Sequence, residues 1–236
     1  MTTFVLIHGS YQGGWIWQRV ASRLRAAGHT VYAPTLDGCA ERKHQVRAGI
    51  TTETHAAEIA EMLFYEDLRE TVMVGTSSGG MVLCRAAETA RDRIARVVFV
   101  DALAVFDGER IRDIVQRSTA MPSGLTAGPS REEAETRLFA DLDPATRAWA
   151  LARYTLHPIG IYEHPVRLQS FWRPAMGRNG DLVPSRREPR RGASAAHCGT
   201  AQSKVVRARH RPLSDAQHAG RADRAADRIV AGMRIT

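Results

Sequence analysis

From Phe4 to Leu103 the chain alternates short apolar, β-favouring runs with stretches patterned at helical spacing, and this alternation restricts the fold more than any other feature. FVLIHG reads as a strand entering a glycine turn. WQRVASRLRAAGH reads as a helix carrying Val20, Leu24 and Ala27 on one face, with Gly28 as its stop. TVYAPTL predicts a second strand, and THAAEIAEMLFYE a second helix with Ile59, Met62 and Leu63 on its apolar side. TVMVG, GGMVLCRAAETA and ARVVFVDAL continue as strand, helix and strand. Strands joined through helices in this way lie parallel, cross over in the right-handed sense and are covered on both faces. The expected architecture is α/β: a doubly wound, mainly parallel sheet in one medium domain, which suits 236 residues.

Residues 105–170 lose the alternation. EEAETRLFADL and DPATRAWALARYTL pattern as short helices and MPSGLTAGPS as a loop, so this segment is expected to form a helical lid over the sheet. A core of residues 1–172, lid included, is therefore expected. From Arg173 the composition changes: Ile, Leu, Val and Phe number 8 among 64 residues, too few to build a core. Residues 1–172 hold 19 Lys+Arg against 20 Asp+Glu, whereas 173–236 hold 14 against 5, so the net charge of +8 resides in the tail. The tail reads as a disordered or surface-loop segment standing in place of the final strands and helix. A nucleic-acid partner would rest on that charge alone and is not expected.

Cys39, Cys84 and Cys198 are odd in number and widely spaced, which predicts reduced structural thiols and neither a disulfide framework nor a metal site. No run approaches the ~18 apolar residues of a membrane span, and FVLI lacks the basic flank of a signal peptide. The expectation is a soluble, cytoplasmic protein without a membrane partner. Its oligomeric state is not legible.

The segment VMVGTSSGG holds the strongest chemical signal. In Gly75-Thr76-Ser77-Ser78-Gly79 a strand must turn abruptly into a helix, which strains the central serine, exposes its hydroxyl and leaves room only for small neighbours. Strand TVMV before it and helix MVLCRAAE after it supply the required context, so Ser77 is the candidate nucleophile. The amide of Ser78, at a helix N-terminus, is a candidate oxyanion donor, and HGSYQGGW offers the amide of Ser10 as a second. His8 is expected to prop this loop by hydrogen bonding and not to act as a base.

With FVLIHGSYQGGWIWQRVASRLRAAGHTVYAPTLDG, VMVGTSSGGMVL and VVFVDAL taken together, residues 3–110 resemble the α/β-hydrolase superfamily, and within it small cofactor-free esterases similar to plant methylesterases, hydroxynitrile lyases and bacterial pyrethroid-type carboxylesterases. The resemblance implies that Ser77 is the nucleophile, that the Ser10 and Ser78 amides form the oxyanion hole, and that neither metal nor other cofactor is needed. Thr76 departs from relatives that carry histidine there. The acid of such a triad ends a later strand, and Asp101 at the end of VVFVD is preferred to Asp181, whose surroundings do not read as strand and turn.

The resemblance also implies a histidine after a last strand, and His197, His210 and His218 follow no strand pattern. Arginine-, proline-, alanine- and glycine-rich sequence without period is what a GC-rich gene yields when read out of frame. Residues 205–228, read one nucleotide later with allowed codons, can give WFELDTGHYPMLSTPAGLTALLT, a strand, a Gly-His and a closing helix, with the histidine falling around Arg211 and Pro212. In the frame as read, His210 stands nearest to that position and is the formal base. The expected function is a serine hydrolase cleaving a carboxylic ester of a small, largely apolar molecule through an acyl-enzyme. The alternative is a catalytically impaired ligand-binding protein on the same scaffold. A hydroxynitrile-lyase reaction would want a pocket lysine, and only Lys43 and Lys204 are available. Trp15, Trp17, Phe106, Trp149 and Tyr154 could line an apolar pocket, although each is more readily a core residue.

Overall fold

The computed structural model describes residues 1–115 and 124–172. Four strands, β1 (Thr3–Ile7), β2 (Thr30–Tyr32), β3 (Thr71–Ser77) and β4 (Ile94–Ala102), form one parallel sheet in the order β2-β1-β3-β4. Helices α1 (Gln18–Ala26), α2 (Thr52–Tyr65) and α3 (Gly79–Thr89) make the connections. The reversal of strand order beside β1 puts α1 on one face and α2 with α3 on the other, the doubly wound arrangement the alternation predicts.

The side-chain period of two in β1 explains why both faces are apolar. Phe4 and Leu6 point into a cluster with Trp17, Val20, Ala21 and Leu24, whereas Val5 and Ile7 join Ile59, Leu63, Met81 and Leu83 on the opposite face. On α1 the buried positions are Val20, Ala21 and Leu24. Ala27, expected on that face, is exposed, because the helix ends at Ala26 and Gly28 turns the chain at φ +83°. The second strand is three residues long, shorter than TVYAPTL suggests: Pro34 brings no backbone N–H to the ladder, and the Thr35 hydroxyl accepts from the Gly14 N–H at 2.9 Å instead. Helix α2 is capped by Thr51 and Thr54, each hydroxyl accepting from the other residue's backbone N–H.

Beyond β4 the described chain forms α4 (Ile111–Ile114), β5 (Thr126–Ala127), α5 (Arg131–Glu133, running into a π-turn at Ala134–Leu138), α6 (Pro144–Leu151), β6 (His157–Pro158) and α7 (Gly160–Glu163). Thr126–Ala127, expected as loop, pairs antiparallel with His157–Pro158. A satellite core of Ala134, Leu138, Phe139, Leu142, Ala150 and Leu151 packs on Tyr11 and Trp15, so the helical segment rests on the loop that follows β1. Glu88 of α3 clips the end of the described chain: its carboxylate accepts from the amides of Gln169, Ser170 and Phe171 at 3.1, 2.8 and 2.6 Å. Among the described residues no helix is long and apolar enough to cross a membrane. Cys39 and Cys84 are buried and joined in no disulfide. The tail from 173 onward, with Cys198, lies outside the described residues.

Candidate active site

The site is built where β3 breaks into α3. Ser77 sits at φ +50°, in the left-handed region that an L side chain adopts only under constraint. The constraint is visible in its neighbours. A Cβ on Gly75 would lie 2.9 Å from the Gly79 carbonyl oxygen, one on Gly79 would lie 2.5 Å from the His8 oxygen, and one on Gly80 would lie 2.5 Å from the Leu103 oxygen. Only glycine lets α3 start so close to both adjoining strands, and this aims the helix N-terminus at the space above Ser77.

The loop after β1 runs directly over this turn. A Cβ on Gly9 would fall 2.6 Å from Ser77 Cβ and 3.2 Å from its hydroxyl. Sequence reasoning did not single out Gly9, because nothing local to HGSYQGGW shows which serine the loop will meet. The side chain of Gln12 accepts from the Gly9 N–H at 3.1 Å and holds the loop in shape. Next in the chain, Ser10 shares a 2.9 Å hydrogen bond with the hydroxyl of Ser78, so the two residues whose amides were singled out are brought together across 68 positions of sequence.

His8 lies beneath the loop as a prop. Its Nε2 accepts from the Leu36 N–H at 3.0 Å, which leaves the proton on Nδ1 to be donated to the Gly9 carbonyl at 2.8 Å. Burial lowers its pKa to about 4, so it is neutral and fully committed. His55 donates from Nε2 to the Asp37 carbonyl at 2.8 Å, and His157 approaches the Cys39 sulfur at 3.5 Å. Burial holds both imidazoles below the ordinary range and pushes the Cys39 thiol up to about 12. Among the described residues, no histidine is hydrogen-bonded to the Ser77 hydroxyl.

Asp101 occupies the end of β4, the strand beside that of Ser77. The ladder pairs Thr76 with Val100 and Ser77 with Ala102, so Asp101 is the extra residue of a bulge and adopts φ +46°. The Leu103 N–H then closes on the Ser77 carbonyl at 2.9 Å. Both irregular residues thus stand at the C-terminal edge of the sheet, where the parallel strands end. Asp181 and His210, with His197 and His218, lie outside the described residues.

Of the aromatic candidates, Trp17 is core, Trp15 meets Trp149 edge to face at 5.0 Å, and Phe106 lies 5.6 Å from Trp172. Tyr154 donates to the Pro129 carbonyl at 2.5 Å and helps line a cavity of about 310 Å³ with Gly38, Lys43, Thr126, Thr155 and Leu156. Tyr11, at φ +66°, and Tyr162 are two further residues at the site that sequence reasoning missed.

A profile of the alpha/beta hydrolase family matches residues 4–232. The chain belongs to this family. Within this hydrolase family it is 34% identical over 127 residues to a carbendazim hydrolyzing esterase of Nocardioides sp., spanning 54% of this chain and 52% of that protein. It is 29% identical over 123 residues to an alpha-hydroxynitrile lyase of Arabidopsis thaliana, spanning 52% and 48%. The chain therefore spans about half the length of the curated relatives it matches. Among solved structures, an extracellular alpha/beta-hydrolase from a Paenibacillus species superimposes with a TM-score of 0.64 at 26% identity, covering 73% of each chain. The α/β architecture expected from the strand–helix alternation, and the family that residues 3–110 resemble, are thus the observed ones.

Proposed function

We propose that the chain hydrolyses a carboxylic ester of a small, largely apolar molecule through an acyl-enzyme on Ser77. The observation that carries the reading is the strained backbone of Ser77 at φ +50°, held between the N-terminus of α3 and the glycine loop of β1. Ser77 attacks the ester carbonyl as a base takes its proton, the amides of Ser10 and Ser78 hold the oxyanion, the alcohol leaves with that proton, and water then cleaves the acyl-enzyme to release the acid and restore Ser77. The relatives support this reading, since one is named an esterase that hydrolyses carbendazim. Asp101 is the acid we favour, from its place on the same sheet edge as Ser77. His210 is the formal base in the frame as read.

Substituting Ser77→Ala removes the nucleophilic oxygen while keeping the Cβ. Turnover of p-nitrophenyl acetate is expected to fall to background, and a variant that kept the wild-type rate would end the assignment.

The second reading, a binder on a hydrolase scaffold, is favoured by one observation: the buried histidines of the described chain are committed to the scaffold. A fluorophosphonate probe separates the two, because a serine without a base stays unlabelled.

A further inference from the structure

The short helix α7 delivers one tyrosine to the back of the site. A Cβ on Gly160 would lie 2.3 Å from the Ile50 carbonyl oxygen, so α7 is seated hard against the chain ahead of α2. Ile161 is buried in the main core, which sets the rotation of the turn. Tyr162 is thereby stacked on Tyr11, with ring centroids 6.5 Å apart and planes at 24°, and meets His157 edge on at 6.1 Å. Tyr11 directly follows Ser10, whose hydroxyl is bonded to that of Ser78.

The Tyr162 hydroxyl is shielded from solvent and has no hydrogen-bond partner. Ser10 and Tyr11 are close enough to influence it, yet neither completes a bond of proper geometry. A buried phenol left unpaired is costly, and such groups are rare in folded chains unless a ligand pairs with them. Burial also keeps its proton in place at any pH of interest, so the group is available as a donor and not as a base.

We propose that Tyr162 donates its hydroxyl hydrogen bond to the carbonyl oxygen of the bound ester, as a third donor beside the Ser10 and Ser78 amides. The inference rests on the ester-hydrolysis reading and adds a residue to it. No proton is transferred: the phenol stays neutral while the carbonyl oxygen gains charge, and the bond strengthens as it does so. A carboxylate, the product of the same reaction, offers an oxygen of the same kind and would draw on the same donor.

The test is Tyr162→Phe in the full chain, which keeps the stacked ring and removes only the oxygen. With p-nitrophenyl acetate, kcat is expected to drop by about 10²-fold while KM stays within about threefold, the pattern of a donor that matters most in the transition state. Benzoate binding, followed by calorimetry on the same two proteins, is expected to weaken about tenfold, a partial loss of one hydrogen bond to a charged acceptor. If wild-type protein fails to turn over the ester but the benzoate difference holds, the hydrolysis reading falls and the Tyr162 donor stands. If kcat and the benzoate affinity of the variant both stay within twofold of wild type, the donor is refuted. A loss explained entirely by a lower melting temperature refutes it too, as does a wild-type chain that neither turns over ester nor binds benzoate.

Discussion

Gly9 lies in the loop that follows β1 and Ser77 ends β3, and the space between them is filled to the point that one added carbon on Gly9 would stand 2.6 Å from Ser77 Cβ. Real side chains do not approach so closely, so the loop that carries Ser10 is held against Ser77 by the absence of a side chain. Position and reactivity depend on the same contact.

The first prediction follows from this contact. Gly9→Ala forces the β1 loop away from Ser77, at a stability cost of about 1–3 kcal/mol for overpacking. Displacing the Ser10 amide by even ~1 Å should lower kcat/KM by about 10²-fold. Thermal melting and ester kinetics on the same preparation check both. A variant with wild-type kinetics would show that the loop does not position the donor.

A second prediction separates strain from chemistry at Ser77. Both Ser77→Ala and Ser77→Gly remove the hydroxyl, but only glycine accepts φ +50° without penalty. The glycine variant is expected to be more stable than the alanine variant by about 1 kcal/mol, with both equally inactive. Urea midpoints decide it, and equal midpoints would mean that the turn stores no strain.

The buried histidines set a third. His8 is neutral in the fold, with a pKa of about 4 against 6.5 when unfolded, and His55 and His157 are lowered in the same direction. Between these values the unfolded chain binds more protons than the folded one, so stability is fully present above pH 6.5 and is lost as pH falls toward 4. His8 alone corresponds to about 3 kcal/mol across that window. Glu88 is raised by its burial but lowered overall by its hydrogen bonds to Ser170, Phe171 and Gln169, so its sensitive range lies below the ordinary carboxylate range. Urea unfolding at pH 7.5, 6 and 5 should therefore already show a fall, before the Glu88 clip titrates. A flat profile over that range would contradict the assignment of His8 as a neutral prop.

A fourth concerns the base. We propose that the codons of the tail are read out of frame from near residues 170–180, so that the histidine of the hydrolase pattern is encoded around Arg211 and Pro212. Nucleotide sequencing is expected to show one base gained or lost there, and the corrected chain is expected to hydrolyse p-nitrophenyl acetate faster than the chain as given. A continuous frame with these tail codons confirmed would remove the proposal.

Much of this molecule is legible in its amino-acid sequence. The alternation of apolar runs with helical stretches predicts the parallel sheet, because each pattern is a local consequence of a period of two or of 3.6 residues. The glycines around Ser77 announce the sharp turn for a similar reason: sterics within five consecutive residues suffice to demand it. Ala27 was misjudged at a helix end, where one turn more or less changes the face, and β5 was missed because two residues carry no period.

What the amino-acid order determined by itself is therefore everything governed by neighbours in the chain: the α/β layering, the stop at Gly28, the strained serine and the helix N-terminus behind it. Tertiary structure alone decided that Gly9 lies on Ser77, that the bulge at Asp101 shares its sheet edge, and that Tyr162 reaches Tyr11. These pairings join residues 24 to 151 positions apart, and no local pattern encodes them. They follow from crossover topology and close packing, which place the ends of separate strands and one distant turn around the same small volume.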